Sequence, residues 1–559
     1  MLKPVQITSQ IEVRVNGQEL AHTVRQDLLE VIVDQHCHLP GMFTIRVLDP
    51  EFKLIDEGAL DLTKEIEIKA ETQAGQKVTL IKGEVTSLEP AFDEGMIAQL
   101  VVRGYDKSHR LYRQTRSKAH LNKKDSDLAS EIAQLAGLQA EVQPTGIVYD
   151  HIFQHNQSDL AFLMQRAWRI GYECFVSGGK LFFRKPPHGS ANLKLTWGED
   201  LITFSPRMNL AEQVSEVIVK GWDPQKQEPI VGRANRGNLY PEVGEPKDGK
   251  TWAEAFGTGK VVIVDLPVVS QAEADQMAAA RLDELSGAFI QAEGLAFRRP
   301  DICAGEMVEI KSLGKRFSGT YLITHATHIY TPDGLKTQFS VQGVRNGLLS
   351  DPSGDQSAPD RWPSVVTGVV TNTDDPNAWG RVKLKFPWMS DEDESDWARV
   401  MGAGAGPKAG FYAIPDVGDE VLVAFEYGDF SRPYVLGGLW NGKHKIPPPA
   451  DQAGSGEMPL VRTWRSRKGH QIALVDTSDD KIEILTAGGR SVTLTDAGKT
   501  ITLKTNGVEV TLQDSKLQIE SNNQIQIKSG SNLDIEANGN LSIKASGQVN
   551  IKGAMINLN

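Results

Sequence analysis

The chain has 559 residues, of which 40% are hydrophobic and 24% are charged, a balance that is typical of folded multidomain proteins and excludes global disorder. Its net charge of −12 argues against binding to nucleic acid, since proteins that bind duplexes usually carry a basic surplus. Cys37, Cys174 and Cys303 are too few and too scattered for a disulfide framework. Residues 261–270 are too short to span a bilayer, and Met1–Gln6 lacks the apolar core of a signal peptide, so we expect a soluble protein made in the cytoplasm.

The N-terminal region, residues 1–350, is predicted to be an α+β hub domain with two β-barrel-like lobes around a helical insertion. Glu12–Val15 alternates polar and apolar residues, and Asn16–Gly17 supplies the positive φ angles that a tight hairpin needs. Glu65–Lys69 and Glu216–Lys220 are further predicted strands.

Three helices are predicted within this region from apolar stripes that indicate core packing. The stripes are Leu128, Ile132 and Leu135 in the first helix, and Leu160, Leu163, Met164 and Ala167 in the second. The predicted N-caps are Asp125 or Ser126, then Ser158, then Ser270 in the capping box Ser270–Glu273. The predicted ends are Gly137, Gly171 and Gly287.

Two stretches rich in proline, glycine and turn residues predict linkers, Asn346–Pro363 and Asn441–Pro459. They separate the hub from a middle domain, residues 363–445, and from a C-terminal domain, residues 461–559, with residues 446–460 as the second linker. Each of the two smaller blocks has the size of a single module.

The C-terminal block repeats short apolar-x-apolar units and has no Phe, Trp, Tyr, Pro or Cys after His470. The units settle to a period of eight residues at Ile525/Ile527, Leu533/Ile535, Leu541/Ile543 and Val549/Ile551. Eight residues hold one short strand and one turn, which is too little for one chain to encircle a core. We therefore predict that three chains intertwine into a β-helical needle and that these eight residues form the trimer core. An open meander of hairpins with one wet face is the alternative.

The middle block contains the segments Gly380–Trp388, Trp397–Val400, Pro415–Phe425 and Arg432–Asn441. Together they resemble the OB-fold of the VgrG and phage baseplate hub-and-spike family. The segments Gly83–Thr86, Arg103–Asp106 and Ser158–Leu163 are similar to the hub of the same family. With the octad repeat, the resemblance covers nearly the whole chain and predicts a mainly β fold of hub, OB-fold and needle.

The resemblance implies a structural homotrimer. No enzyme, cofactor or metal is predicted, because only a short linker stands where some phage relatives carry a muramidase domain and the last nine residues lack the histidines that can hold a metal at the needle tip. The spike would nucleate the inner tube of a contractile injection system and puncture the target envelope. Its implied partners are the inner tube protein, baseplate proteins and a PAAR-type tip protein, with transient contact with the target membrane. Assembly would take place in the cytoplasm, and the particle would be extracellular or membrane-anchored. A type VI secretion VgrG and a true phage tail spike stay open as alternatives.

The end of the needle carries a predicted docking site. The alternation of apolar and polar residues changes register there, from Val549/Ile551 to Ile556/Leu558. Together with Met555, the last two residues would form a small apolar patch where three chains meet. We expect the tip protein to bind this patch. At the other end, two lobes in each of three hub subunits would give six similar units, which would match a six-fold inner tube.

Four short motifs contain residues of the kind that bind metal ions or phosphate groups. In His36–His38 neighbouring side chains point to opposite faces of a strand, and His325 and His328 have a helical spacing in a segment that resembles a strand, so neither predicts a metal site. Asp391–Asp396 lacks the ligand spacing of a calcium loop and is predicted to be a solvated acidic loop. Gly402–Lys408 fits neither glycine-rich phosphate template and is predicted to be a flexible loop.

Two other functional classes, an enzyme and a ligand-binding OB-fold, make different demands on the sequence. An envelope-degrading enzyme would need a nucleophile or a carboxylate pair, and no such arrangement stands out. An OB-fold that binds nucleic acid or sugar would use exposed aromatic residues such as Trp379, Phe386, Trp388 and Trp397, which in small barrels usually belong to the core.

Overall fold

The structure is a computed structural model that describes residues 11–94, 97–223, 226–237, 241–264, 266–268, 270–343, 365–450 and 460–558. It is 44% strand and 14% helix, which confirms the predicted mainly β fold. The chain divides into two compact units, Met1–Leu439 and Trp440–Asn559. The predicted linker Asn346–Pro363 and residues 451–459 of the second linker lie outside the described residues, so the predicted domain boundaries stay predictions.

The first lobe of the hub spans residues 11–106. Its elements are β1 Ile11–Val15, β2 Gln18–Glu19, α1 His22–Gln26, β3 Leu28–His36, β4 Met42–Leu48, α2 Lys53–Glu57, β5 Glu65–Glu71, β6 Lys77–Asp93 and β7 Ile97–Asp106. Asn16 and Gly17 have φ angles of 50° and 82°, so the predicted hairpin between β1 and β2 is confirmed. In β3 the side chains alternate, with Val31 and Val33 buried in the core of the lobe.

The helical insertion follows at residues 109–184. Its elements are α3 His109–Tyr112, β8 Thr115–Lys123, α4 Asp125–Leu135, β9 Gln139–Val142, β10 Tyr149–Ser158, α5 Asp159–Arg169, β11 Glu173–Ser177 and β12 Lys180–Arg184. The predicted cap of α5 is confirmed, because the Ser158 hydroxyl accepts the N–H of Ala161.

The first predicted helix, α4, ends as predicted, because Gly137 follows the C-cap Ala136 with a φ of 68°, but it begins differently. Its N-cap is Lys124, whose backbone N–H donates to the carboxylate of Asp127 at 3.0 Å. Asp125 and Ser126 cannot serve as caps because Asp125 binds Arg166 at 2.6 Å and the Ser126 hydroxyl accepts the N–H of Thr145. Leu135 is 74% exposed and lies outside the core, since it is the last residue of the helix.

The second lobe spans residues 193–341. Its elements are β13 Leu193–Thr196, β14 Leu201–Met208, β15 Glu216–Asp223, β16 Glu228–Ala234, β17 Glu242–Val243, α6 Gly249–Ala253, the 3₁₀ turn Glu254–Phe256, β18 Lys260–Ile263, α7 Gln271–Gly287, β19 Ile290–Phe297, β20 Met307–Lys311, α8 Gly314–Phe317, β21 Gly319–Leu322, β22 His325–Thr331 and β23 Gly334–Val341. The Ser270 hydroxyl accepts the N–H of Glu273, as predicted, and α7 packs its Met277 and Leu282 on β15 and β16. Among the described helices, none is both long and apolar enough to cross a membrane.

The two lobes share one eleven-stranded sheet in the order β14-β19-β23-β22-β3-β4-β7-β6-β5-β1-β2. The lobes meet where β22 pairs antiparallel with β3, with His325 opposite His36 and Thr327 opposite Asp34. Smaller sheets complete the hub, in the orders β13-β20-β21-β17, β16-β15-β18, β11-β12-β9 and β10-β8.

The middle block forms a five-stranded sheet in the order β25-β24-β29-β30-β26. Its elements are β24 Val366–Asn372, β25 Lys383–Lys385, β26 Arg399–Val400, β27 Ala405–Gly406, β28 Ala409–Gly410, β29 Glu420–Phe425, the 3₁₀ turn Glu426–Gly428 and β30 Pro433–Gly438. The predicted flexible loop Gly402–Lys408 is instead part of a two-stranded hairpin, in which β27 pairs with β28.

The C-terminal unit contains β31 Val461–Arg465, β32 Gln471–Val475, β33 Lys481–Leu485, β34 Ser491–Thr495, β35 Thr500–Lys504, β36 Val508–Gln513 and β37 Lys516–Ser521. These strands pair in sequence order as an antiparallel sheet, so residues 461–521 adopt within one chain the meander that was the alternative to the needle. The octad segment behaves differently. Over the described residues 523–558 the structure has no strand and no backbone-to-backbone hydrogen bond.

Candidate functional site

The meander carries its large apolar side chains on one face. The pairing places Ile472 opposite Ile484 and Leu474 opposite Ile482, and the same alignment continues to the last strand. These side chains are 39–63% exposed; they are Ile472, Leu474, Ile482, Ile484, Leu494, Ile501, Leu503, Leu512, Leu517 and Ile519. On the opposite face of β32, Gln471 and Ala473 are buried. The exposed face of this sheet is thus the apolar one. In an ordinary antiparallel sheet with one face in water, the exposed face is polar and the apolar face is buried.

The octad segment leaves its apolar residues still more open. All eight predicted core residues are between 52% and 68% exposed; they are Ile525, Ile527, Leu533, Ile535, Leu541, Ile543, Val549 and Ile551. The predicted tip-docking residues Met555, Ile556 and Leu558 are also exposed, with Leu558 at 90%. A single chain satisfies neither the backbone nor the apolar side chains of this segment. The assignment of these residues to a trimer core and to a tip-docking patch stays a prediction.

The junction between the hub and the OB-fold is an aromatic cluster. Phe153 of β10 enters the core of the middle block, and its backbone N–H donates to the hydroxyl of Ser431 at 3.1 Å. The ring of His155 stacks on Phe430 with centroids 3.7 Å apart. Burial lowers the pKa of His155, which favours the neutral ring in this apolar setting. One hub strand therefore fixes the OB-fold by apolar packing.

The aromatic residues considered for ligand binding divide between core and surface. Phe386 is buried in the OB-fold core, and Trp388 stacks on it with centroids 5.1 Å apart. Trp379 is exposed and, with Trp397, lines a cleft of about 560 Å³ that β10 and α5 also border. The guanidinium of Arg381 lies 4.9 Å from the Trp379 ring. The same guanidinium lies 5.7 Å from the half-buried ring of Trp397, so both rings are engaged with an arginine of their own fold.

Close packing explains why glycines occur in two of the hub segments that resemble the family. Gly83 and Gly104 lie on neighbouring strands, and a Cβ atom at Gly104 would come within 2.4 Å of the Phe43 ring. Asp106 accepts hydrogen bonds from the backbone N–H groups of Gly41 at 2.7 Å and Ser108 at 2.8 Å. Burial nevertheless raises the pKa of Asp106 to about 6. These residues hold the loop between β3 and β4 against the end of β7.

The structure brings histidines from the motifs His36–His38 and His325/His328 into contacts that neither motif predicts. His328 is buried, its Nδ1 lies 3.0 Å from the Thr337 hydroxyl, and burial lowers its pKa to about 4. His325 lies on the other face of β22, where its Nε2 is 2.5 Å from Asp34 Oδ1. His36 stacks on His325, with ring centroids 3.9 Å apart. The structure thus brings together Asp34, His36 and His325, while His38 and Cys37 turn into buried surroundings.

Sequence reasoning missed this cluster because it treated His36–His38 and His325 as separate motifs. Asp34 and His36 are two residues apart and share one face of a strand, which is a signal in the sequence. Their third member comes from a strand 291 positions away.

The acidic loop Asp391–Asp396 pairs with the strand beside it. Lys385 Nζ lies 2.8 Å from Asp391, and Lys383 Nζ lies 2.5 Å from Glu394. Asp391 is exposed, as predicted for a solvated loop. The loop therefore neutralises part of its charge within the OB-fold.

Two family models match successive parts of the first compact unit. Residues 6–331, more than half of the chain, match the family model described as the Alg8 N-terminal domain. The chain belongs to the Alg8 N-terminal domain family. Residues 366–440 of this Alg8-family chain match the type VI secretion system/phage-baseplate injector OB domain.

Curated relatives of the Alg8-family chain are spike proteins. It is 40% identical over 88 residues to the type VI secretion system spike protein VgrG5 of Pseudomonas aeruginosa, which is 15% of this chain and 11% of that protein. It is 41% identical over 73 residues to the spike protein VgrG3 of Vibrio cholerae, which is 12% of this chain and 7% of that protein. The chain therefore spans about a tenth of the length of these relatives.

A solved structure shares the fold over nearly the whole chain. The lidded PdpA-VgrG complex of Francisella aligns with a TM-score of 0.51 and 11% identity, over 93% of this chain and 81% of that one. The half-lidded complex gives 0.50 and 10% identity, over 92% and 88%. At this identity the likeness establishes the fold. The predicted relationship to the VgrG and phage baseplate hub-and-spike family is confirmed by these matches together.

Proposed function

We propose that this Alg8-family chain is a structural spike and hub of a contractile injection system and that it works as a homotrimer. The observation that carries the proposal is the open apolar face of the C-terminal unit, together with the unpaired backbone of residues 523–558. Both features call for neighbouring chains of the same sequence, because only a partner with the same octad repeat offers strands at the matching spacing. The match to spike proteins supports the class of function.

The burial that trimer formation provides is large. Full burial of one isoleucine or leucine side chain contributes about 1.5–3 kcal/mol. Each chain brings seven such side chains and Val549 in the octad segment alone, and three chains would close them into a dry core. An assembly held in this way resists bending and shear, which is what a puncturing needle requires.

The trimer is tested by placing charges at inward or outward positions of the octads. The core variant Ile527→Asp, Ile543→Asp and Ile551→Asp would bring nine carboxylates into the closed core of a trimer, at a severe cost in free energy. The control variant Gln526→Asp, Ser542→Asp and Asn550→Asp adds the same charge at the alternate positions. Multi-angle light scattering should show a trimer for the natural chain and the control, and dissociation for the core variant. A monomeric natural chain, or equal masses for both variants, would refute the proposal.

We propose that the chain has no catalytic activity of its own. The OB-domain match ends at residue 440 and the first strand of the C-terminal sheet begins at Val461, and this interval is too short for an enzyme domain. Purified trimer should release no soluble fragments from peptidoglycan. Release that survives repurification and is lost in one point variant would establish an enzyme instead.

The proposed partners follow from the two ends of the assembly. The Francisella structures contain PdpA together with VgrG, and we propose that this chain likewise assembles with other proteins in an injection particle. In the hub, each of the two lobes contributes strands to the shared sheet, so a trimer presents six such lobes. We propose that this pseudo-six-fold ring receives the inner tube, while baseplate proteins surround it and a PAAR-type protein covers the tip.

A further inference from the structure

We propose that Asp34, His36 and His325 form a binding site for one Zn²⁺-class divalent cation, which ties the two lobes of the hub together. The site does not depend on the proposed spike function. It lies where β3 of the first lobe pairs with β22 of the second.

The strand pairing preorganises the three ligands. His36 and His325 are directly opposite each other, and Asp34 lies two residues before His36 on the same face of β3. His36 Nε2 is 3.4 Å from Asp34 Oδ2, and His325 Nε2 is 2.5 Å from Asp34 Oδ1. One ligand atom from each residue falls within 4.8 Å of the other two. A tetrahedral zinc ion holds its ligand atoms about 3.3 Å apart, so small side-chain rotations would complete the site.

The chemistry of the group favours a cation over a simple ion pair. The two imidazole rings are parallel within 9° and their centroids are 3.9 Å apart, so the rings lie side by side. Both rings present Nε2 to one carboxylate. Two imidazoles with one carboxylate form the donor set that zinc and its borderline neighbours prefer.

The surroundings suit a site that solvent can fill. The side chains of Asp34 and His325 keep 24% and 33% of their exposure, so a cation can enter and retain a water ligand. Thr327 donates its hydroxyl hydrogen to Asp34 Oδ1 at 2.9 Å and thereby orients the carboxylate. Such outer partners commonly tune the affinity of a metal site.

The test uses the tag-free full-length chain after treatment with a chelator. Isothermal titration with ZnCl₂ should give one tight equivalent per chain, and Co²⁺ should produce the visible absorption bands of a four-coordinate site. The variants His36→Gln and His325→Gln should lose the tight equivalent. Thr327→Val should weaken binding by about 10- to 100-fold, as loss of an outer partner commonly does.

The control is His22→Gln, an exposed histidine on α1, which should keep the full stoichiometry and affinity. Zn²⁺ should raise the Tm of the natural chain and of this control, and should leave the Tm of His325→Gln unchanged. Circular dichroism establishes that each variant is folded. Unchanged zinc binding in His325→Gln, or equal loss in His22→Gln, would overturn the proposal.

Discussion

The guanidinium of Arg381 lies 2.7 Å from the carboxylate of Asp375, within the connection between β24 and β25. The same carboxylate accepts the backbone N–H groups of Asn377, Trp379 and Arg381. These contacts hold the pKa of Asp375 well below its usual range, and the hydrogen bond from Arg381 is the largest cause. One carboxylate therefore shapes the whole turn and sets Arg381 beside the rings of the cleft.

We expect Asp375→Asn to lower the free energy of unfolding by about 3 kcal/mol at pH 7, because it removes one partner of a largely buried ion pair. Since folding lowers this pKa, the stabilisation is present above the usual value of 3.8 and fades as the pH falls through the folded value. Urea unfolding at pH 7 and pH 3 measures both effects. The exposed Asp391→Asn is the control and should change little. A deficit that grows on acidification would contradict the assignment.

Asp106 should show the opposite dependence on pH. Burial raises its pKa from 3.8 to about 6, so its contribution to stability is largest below pH 4 and is lost as the pH rises to 6. Asp106→Asn removes this titration. The stability advantage of the natural chain over the variant should thus be greater at pH 4 than at pH 7 in urea unfolding, whereas the exposed Asp333→Asn should show no such trend. An advantage that increases with pH would show that the carboxylate is stabilised by its hydrogen bonds more than it is penalised by burial.

The packing of α7 on β16 allows no side chain at Gly232. A Cβ atom there would lie 2.2 Å from the backbone carbonyl of Ala274, which cannot move without displacing the helix. We expect Gly232→Ala to cost about 3 kcal/mol in the free energy of unfolding. Gly146→Ala meets no atom within 4 Å and is the matched control. Equal urea midpoints for the two variants would disprove the close contact.

The tip patch is tested by point variants that leave the octads intact. Ile556→Asp with Leu558→Asp should abolish binding of a purified PAAR-type protein, because an apolar contact cannot accommodate charges from three chains. Asn557→Asp adds one charge between them and should retain most of the binding. Biolayer interferometry on immobilised trimer gives both affinities. If the double variant binds the PAAR-type protein with unchanged affinity, the docking site lies elsewhere.

Local signals in the sequence predicted local structure well. The Asn16–Gly17 hairpin and the caps Ser158 and Ser270 were foreseen because each depends on residues within three positions. Asp125 and Ser126 failed as caps because partners from other elements bind their side chains. Local chemistry is thus a sound guide until a distant side chain competes for the same group.

In residues 461–521 the apolar pattern predicted which side chains share one face of the strands, but not that the neighbouring strand comes from the same chain. The trimer core of the octad segment stays a prediction. In residues 461–521 the strands are long enough to pair with the next hairpin arm of the same chain. Each octad provides only three residues for a strand before a turn of Ser, Asn and Gly begins. Such a segment is too short to form a hairpin with the next segment of the same chain. The histidine cluster was beyond the reach of sequence spacing because strand pairing creates it.

The pairing of β3 with β22 has a consequence for the growing chain. A ribosome adds about 5–20 residues per second, so the 291 positions between Asp34 and His325 take about 15–60 s to synthesise. During that time β3 has β4 on one side and an open edge on the other, which could pair with a second nascent chain. Glu30 and Asp34 place negative charges along this waiting edge, and charged residues discourage such pairing. The carboxylate that later meets His325 thus lies on the edge of the sheet that stays open longest during synthesis.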